Sequence, residues 1–223
     1  MNILEEAIKK GQSTLSEYQS KKFLASHGIP ITKESMVSTK DDAIQAAKEI
    51  GFPVVLKGCG SEMTHKTEHN MIELDVRDNT SLGEAYDRIM SHNEVPLEGI
   101  LVQEMIKGER ELVVGLSHDP QFGPCVMFGL GGIFTEILND VSFRIAPLEK
   151  KDAMEMVREI RGHKILDAFR GKPAVNLDVL AQMLITIGTI GLEYEQVKEI
   201  DINPLIISGD NPVAVDALVV LNV

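Results

Sequence analysis

"PCVMFGLGGIFTEILNDVSFRIAP", from Pro124 to Pro147, is the stretch on which the architecture turns. An apolar run, Val126 to Phe128, breaks into Gly129-Leu130-Gly131-Gly132. A hydrophobic segment bearing Glu136 and Asp140 then leads to Arg144. Three glycines in four positions open backbone angles closed to other residues and remove side chains between main chain and ligand. Successive N–H groups in such a turn converge on an anion, as a polyphosphate requires. The same glycines also suit a tight turn between two strands, and the cluster alone does not separate the two readings.

Around it lies a chain of 223 residues, 43% of them hydrophobic, long enough for a full core in one large domain or two small ones. A net charge of -12 argues against non-specific binding to nucleic acid or to an anionic membrane. It leaves room for a nucleotide, because a local cation or metal reverses the field inside a cleft. Cys59 and Cys125 fit neither a metal spacing nor a disulfide framework, and are expected as free thiols of a cytoplasmic protein. The start, "MNILEEAIKKGQ", carries no apolar leader, and no run of apolar residues is long enough to span a bilayer.

Upstream of the glycine stretch the pattern is α/β. Thr14 and Glu17 stand in capping-box spacing ahead of a helix that Gly28 and Pro30 stop. "IPIT" is expected as a short strand, Thr39 with Asp42 as the cap of a helix ending at Gly51, and "VVLK" as a buried strand. Lys57 closes that strand where sheet meets the loop "GCGSEMTHKTEHN", a place for a cation to meet phosphate or to reach solvent. In the loop, His65 has the chemistry of a nucleophile or proton carrier, while the His65/His69 spacing lacks the companions of a zinc site. "MIELDV" is a half-exposed strand, Ser81 and Glu84 cap a helix, and "ILVQEMI" runs as a strand into a possible hinge at Gln103, Glu104 and Met105. Of Glu109 and Glu111 on the next strand, one is expected to face a cleft. The domain boundary falls at Lys107 and Gly108, dividing 1–107 from 108–223.

Downstream, Arg144 and Arg170 offer planar forks of donors suited to an anion or to a structural ion pair. Asn176 starts a helix whose Leu177, Leu180, Leu184 and Ile187 mark a buried face. Two final strands, "QVKEIDINPLII" and "NPVAVDALVVL", hold Glu199, Asp201, Asn203 and Asp216. Paired antiparallel, they bring an Asn oxygen near an Asp carboxylate, an oxygen-rich patch of the kind magnesium uses beside substrate phosphates. Asp216 lies in the apolar run Val213 to Leu221, where a buried carboxylate needs a metal, a donor or water.

In order, "LSEYQSKKFLASHGIPIT", "GFPVVLKGCGSEMTHKTE", "GILVQEMIKGERELVVGLSHDPQFGPCVMFGLGGIFTEILNDVSFRIAPL", "FRGKP", "EIDINPLI" and "VAVDAL" resemble the β subunit of ADP-forming acetyl-CoA (acyl-CoA) synthetases, which are ATP-grasp proteins. The resemblance implies an α+β ATP-grasp fold of two lobes closing on ATP or ADP with Mg²⁺. It implies that Lys57 contacts the phosphates and that Gln103, Glu104 and Met105 form the adenine hinge. Glu111 would be an acidic position of the cleft, and Gly129, Gly131 and Gly132 with Arg144 and Arg170 the phosphate side. Asn203 and Asp216 would hold magnesium, and His65 would be a second phosphohistidine carrier. The partner implied is an α subunit with the CoA-binding domain and main phosphohistidine, in an α2β2 assembly acting on a small carboxylic acid or its acyl-CoA. One departure stands out: His69 and Asn70 occupy positions where the family commonly has a glycine pair. The alternative consistent with that departure is a nucleotide-binding regulatory or scaffolding subunit with weakened turnover.

Overall fold

The computed structural model describes residues 3–60, 71–91, 96–132 and 139–222. Helices α1 (Ile3–Lys9) and α2 (Glu17–Ser26) lead into β1 (Glu34–Val37), α3 (Lys40–Ile50), β2 (Val54–Cys59), β3 (Ile72–Val76), α4 (Asn79–Ser91) and β4 (Gly99–Glu104). Strands β5 (Glu111–Asp119), β6 (Gly123–Leu130) and β7 (Val141–Ile145) precede helices α5 (Lys150–Glu159) and α6 (Leu177–Glu193). Strands β8 (Val197–Ser208), β9 (Asn211–Ala214) and β10 (Ala217–Leu221) end the chain. No helix among the described residues is long and apolar enough to cross a membrane.

Local hydrogen bonds fix the helix starts. The Thr39 hydroxyl accepts from Asp42 N at 3.2 Å to open α3, and Gly51, at φ +96°, closes it. Asn176 opens α6 by accepting from Val179 N at 3.3 Å. Two caps differ from the sequence expectation. Ser16 and Gln19, not Thr14 and Glu17, form the reciprocal box at α2, with Ser16 N donating to Gln19 Oε1 at 3.0 Å. Thr14 is held instead in a bridge to Val220. Asp78 caps α4, accepting from Ser81 N at 2.8 Å, one turn ahead of the expected Ser81–Glu84 pair. Nor is "IPIT" a strand: Ile31 makes a single bridge to Ala214, and the strand proper begins at Glu34.

The contacts group the chain into two units. The smaller takes Ser16–Gln19 and Thr32–Ile106. Its four-stranded antiparallel sheet has the order β1-β4-β2-β3. Val54, Leu56, Ile100 and Val102 bury one face of that sheet with Ala43 and Ala47 of α3 and Leu82, Ala85 and Ile89 of α4. The larger unit takes the chain up to Leu15, Ser20–Ile31, and everything from Lys107 onward. Its antiparallel sheet runs β10-β8-β5-β6-β7, with β9 also on β8. Leu112, Val114, Leu116, Val126, Phe128, Ile200 and Ile202 pack with Met156 and Val157 of α5 and Leu180, Leu184 and Ile187 of α6. Phe23 and Leu24 of α2 join this core. For that reason most of the leading segment groups with the chain beyond Lys107 and not, as the 1–107 division had it, with the smaller sheet.

The last hairpin is interrupted. β8 pairs first with β9 and then with β10, and Val215 and Asp216 lie in the gap between them. Asp216 therefore sits at a break in the ladder and not within a continuous strand.

Candidate active site

Strand alternation sorts the candidate residues of the larger unit onto two faces. Ile200 and Ile202 turn to the helices, so Glu199, Asp201 and Asn203 share the opposite face. On either side of the hairpin gap, Leu205 stands opposite Ala214 and Ile202 opposite Ala217. Continuing that register sets Asn203 opposite Asp216, as the sequence spacing anticipates. Asp201 lies across from Gly115, which in turn lies across from Met127. The Met127 side chain covers the glycine at 115, its methyl 3.2 Å from where a Cβ would stand.

Asp201 is the residue whose chemistry the fold changes most. Burial, then the neighbouring charges of Asp216 and Glu199, push its pKa up to about 6 from 3.8. Three carboxylates on one patch repel one another, and a cation placed there relieves the repulsion. No group of three His, Cys, Asp or Glu side chains among the described residues forms a metal cage on its own. Magnesium retains waters and takes one or two protein oxygens with the remainder from phosphates, so a site for it needs no such cage.

The glycine stretch completes this face at its other end. Gly129 is a strand residue opposite Val113 and Val141, and a Cβ there would meet the Val141 side chain at 2.6 Å. Gly131 N donates to Glu111 O at 2.8 Å, and a Cβ on Gly131 would lie 2.9 Å from the Leu112 backbone. Gly132, at φ +62°, brings its backbone so near Glu111 that a Cβ would sit 2.8 Å from Oε2. The structure thus gives the glycines a packing and turning role: 129 and 131 are close-packing positions, and 132 turns the chain beside an acidic side chain. Glu136, in the same stretch, lies outside the described residues.

Arg144 and Arg170 are not brought to this patch. Arg144 pairs with Val126, on the helix side of the sheet, and its guanidinium binds Glu159 at 2.8 Å. Arg170 occupies a turn at φ +48°, with its guanidinium 5.1 Å from the Phe169 ring centre.

In the smaller unit, Lys57 and Gln103 share the sheet face turned away from α3 and α4, opposite Leu101 and Val55 respectively. Lys57 is 4% exposed, and its ammonium donates to Glu17 Oε1 at 2.7 Å, with Glu17 as deeply buried. A lysine expected to end in solvent or on phosphate is thus held from the first turn of α2. Gln103 is 1% exposed and stands opposite Glu34 on its other side. At the end of β4, Glu104 N donates to Lys33 O at 2.9 Å, and the Glu104 carboxylate accepts from Lys33 N at 2.7 Å. Met105 N reaches Pro53 O at 3.3 Å. His65 lies outside the described residues.

The sequence reasoning missed Glu17 as a site candidate, and it named Asp201 only within the acidic set of the last strands, with no role of its own. Asp201 had a signal, the alternation of "KEIDIN" that puts every second polar group on one face. Glu17 had none, because its partner Lys57 is 40 residues away.

An ATP-grasp domain model matches residues 6–221. The chain is 40% identical to the β subunit of ADP-forming acetate–CoA ligase I of Pyrococcus furiosus, covering 98% of this chain and 96% of that one. It superposes on acetyl-CoA synthetase 1 of Candidatus Korarchaeum cryptofilum, in complex with coenzyme A and Ca-AMPCP. That match has a TM-score of 0.95 and 39% identity, over 99% of this chain and 98% of that one. A second structure of the Korarchaeum enzyme holds coenzyme A and Mg-AMPPCP, with its phosphohistidine segment pointing towards the nucleotide site. It matches at a TM-score of 0.88 and 39% identity, with the same coverage. Two antiparallel α+β units, a carboxylate patch beside a glycine turn and near-complete correspondence with these relatives place the chain in one lineage: it belongs to the ATP-grasp family, among the β subunits of ADP-forming acetate–CoA ligases.

Proposed function

We propose that this chain is the nucleotide-binding β subunit of an ADP-forming acyl-CoA synthetase, working with an α-type partner in an α2β2 assembly. The reaction interconverts acyl-CoA, ADP and phosphate with carboxylate, CoA and ATP. Phosphate displaces CoA from the thioester, a histidine takes the phosphoryl group from the acyl phosphate and releases the carboxylate, and ADP then accepts it. The observation that carries this reading is the carboxylate patch around Asp201, in a chain almost coextensive with a synthetase β subunit.

Asn203 and Asp216 are the residues that would hold magnesium, whose charge neutralises the phosphate oxygens. Asp201 sits beside them as a third oxygen source. Gly132 and Glu111 shape the neighbouring backbone. Lys57, oriented by Glu17, supplies the cation of the smaller unit, and Gln103, Glu104 and Met105 supply the strand end for the base. His65 is the proposed carrier of the phosphoryl group. The second reading, a nucleotide-binding subunit with weakened turnover, is favoured by one observation, the His69-Asn70 pair in place of glycines.

Titration of ADP into wild-type chain and the Asp216→Asn variant, with and without Mg²⁺, tests the metal assignment. The variant is expected to lose about tenfold in affinity with Mg²⁺ present, roughly 1.4 kcal/mol, and little without it. An equal change under both conditions contradicts the assignment.

A further inference from the structure

A cavity of about 420 Å³ opens in the larger unit, away from the carboxylate patch, between the segment before β5, the 170–173 turn and the β8–β9 turn. Its walls include Lys107, Gly108, Glu109, Arg110, Lys172 and Gly209. Arg110 is 6% exposed. Its Nη1 donates to Pro173 O and its Nη2 to Gly209 O, each at 2.9 Å. Among the described residues this guanidinium makes no ion pair. A guanidinium has about five N–H groups, so two carbonyl bonds leave donors unused, and a buried charge without a counter-charge is costly.

The other charges deepen the imbalance. Glu109 is the lining carboxylate, and it pairs with Lys172, whose ammonium beside it, with Arg170 adding to the effect, holds the Glu109 pKa below the usual carboxylate range. Lys107 has no acidic partner among the described residues. Three lining cations against one carboxylate is a marked local excess in a chain of net charge -12. The two consecutive residues Arg110 and Glu111 also diverge: the arginine runs to Pro173 and Gly209, while the glutamate lies at the Gly131–Gly132 turn. None of the magnesium and nucleotide residues proposed for this unit lines the cavity.

We propose that this cavity is a second anion site, binding inorganic phosphate or the phosphate group of a small phosphorylated molecule. Arg110 is its buried ligand, and Lys107 and Lys172 close over the remaining oxygens. Planar donors suit a phosphate's oxygens, and Gly108 gives the wall its close approach, since a Cβ there would strike Ile206 and lie 2.7 Å from Ile207 O. The inference does not rest on the synthetase reading.

The test titrates inorganic phosphate and, separately, O-phosphoserine into the full chain at constant ionic strength, with chloride as the control. The chain and a Lys107→Gln/Lys172→Gln variant, whose changes lie at the cavity mouth, are compared, and thermal unfolding verifies that the variant is folded. Saturable binding of either phosphate ligand, weakened at least about tenfold in the variant, is expected. Tighter binding of the monoester identifies a phosphorylated molecule as the source, and tighter binding of the free ion identifies phosphate itself. Absence of saturable binding, equal binding of chloride, or affinity unchanged by the double substitution overturns the proposal.

Discussion

At the scale of single residues, two side chains are tuned by what surrounds them. Asp201 holds its proton to about pH 6 in the folded chain, whereas an ordinary aspartate loses it near 3.8. The native state therefore binds more protons than the unfolded chain between these values, and stability falls as pH rises through them. Two pKa units correspond to on the order of 3 kcal/mol. Asp201→Asn is expected to raise stability at pH 7 by up to about that amount and to change it little at pH 3. Urea midpoints at the two pH values give the comparison, and a variant destabilised equally at both contradicts the assignment of strain to Asp201. Lys57 poses the opposite case, a charge already compensated. Lys57→Met takes the ammonium from a buried Glu17, and breaking such a pair costs about 3–5 kcal/mol. A double-mutant cycle with Glu17→Gln is expected to show coupling above about 1 kcal/mol, and additive effects contradict a working pair. Any loss of ATP affinity in Lys57→Met must be measured against this structural cost.

At the scale of elements, the termini of helices and strands explain what was legible. Helices α3 and α6 were readable because Thr39 and Asn176 bond within three residues and Gly51 stops the chain, all local events. Helix α2 was misassigned at its start because both Thr14 and Ser16 are competent caps. The choice was made by a distant strand, since Thr14 bridges Val220. The opposition of Asn203 and Asp216 was visible in the spacing, but the break between β9 and β10 was not, because Val213 to Leu221 is apolar across it. Arg144 shows the limit of residue type: period two set it on the helix side, where Glu159 holds it. Asp140, in the glycine stretch, is 7% exposed and accepts from Arg161 N and Gly162 N, both at 2.7 Å. It ties the end of α5 to the start of β7. Asp140→Ala strands two backbone donors and should destabilise by about 2–4 kcal/mol, as read by urea unfolding. A change below about 0.5 kcal/mol, the range of an ordinary surface substitution, contradicts that role.

At the scale of the whole molecule, two antiparallel α+β units divide the proposed labour. The smaller presents Lys57 and the strand end at Glu104, and the larger presents the carboxylates and the glycine turn. Neither unit's described residues include His65, the proposed carrier; in "THKTEHN" residue chemistry offered a nucleophile, and only the family resemblance offered a phosphoryl carrier. The fold class followed from alternating helices and strands with glycine and proline punctuation. The acidic patch followed in part from the "DIN" alternation, while the buried Lys57–Glu17 and Arg110 contacts depend on tertiary distances that no local pattern encodes. The claim at the centre of this account is turnover, and the measurement closest to it is ATP formation from ADP, phosphate and acetyl-CoA by the chain reconstituted with its α-type partner. The account predicts Mg²⁺-dependent ATP formation that requires both chains. With His65→Ala it predicts that the partner becomes phosphorylated while ATP formation stops. Tight binding of Mg-ADP by the reconstituted wild type, with no acyl-CoA-dependent ATP, would contradict it.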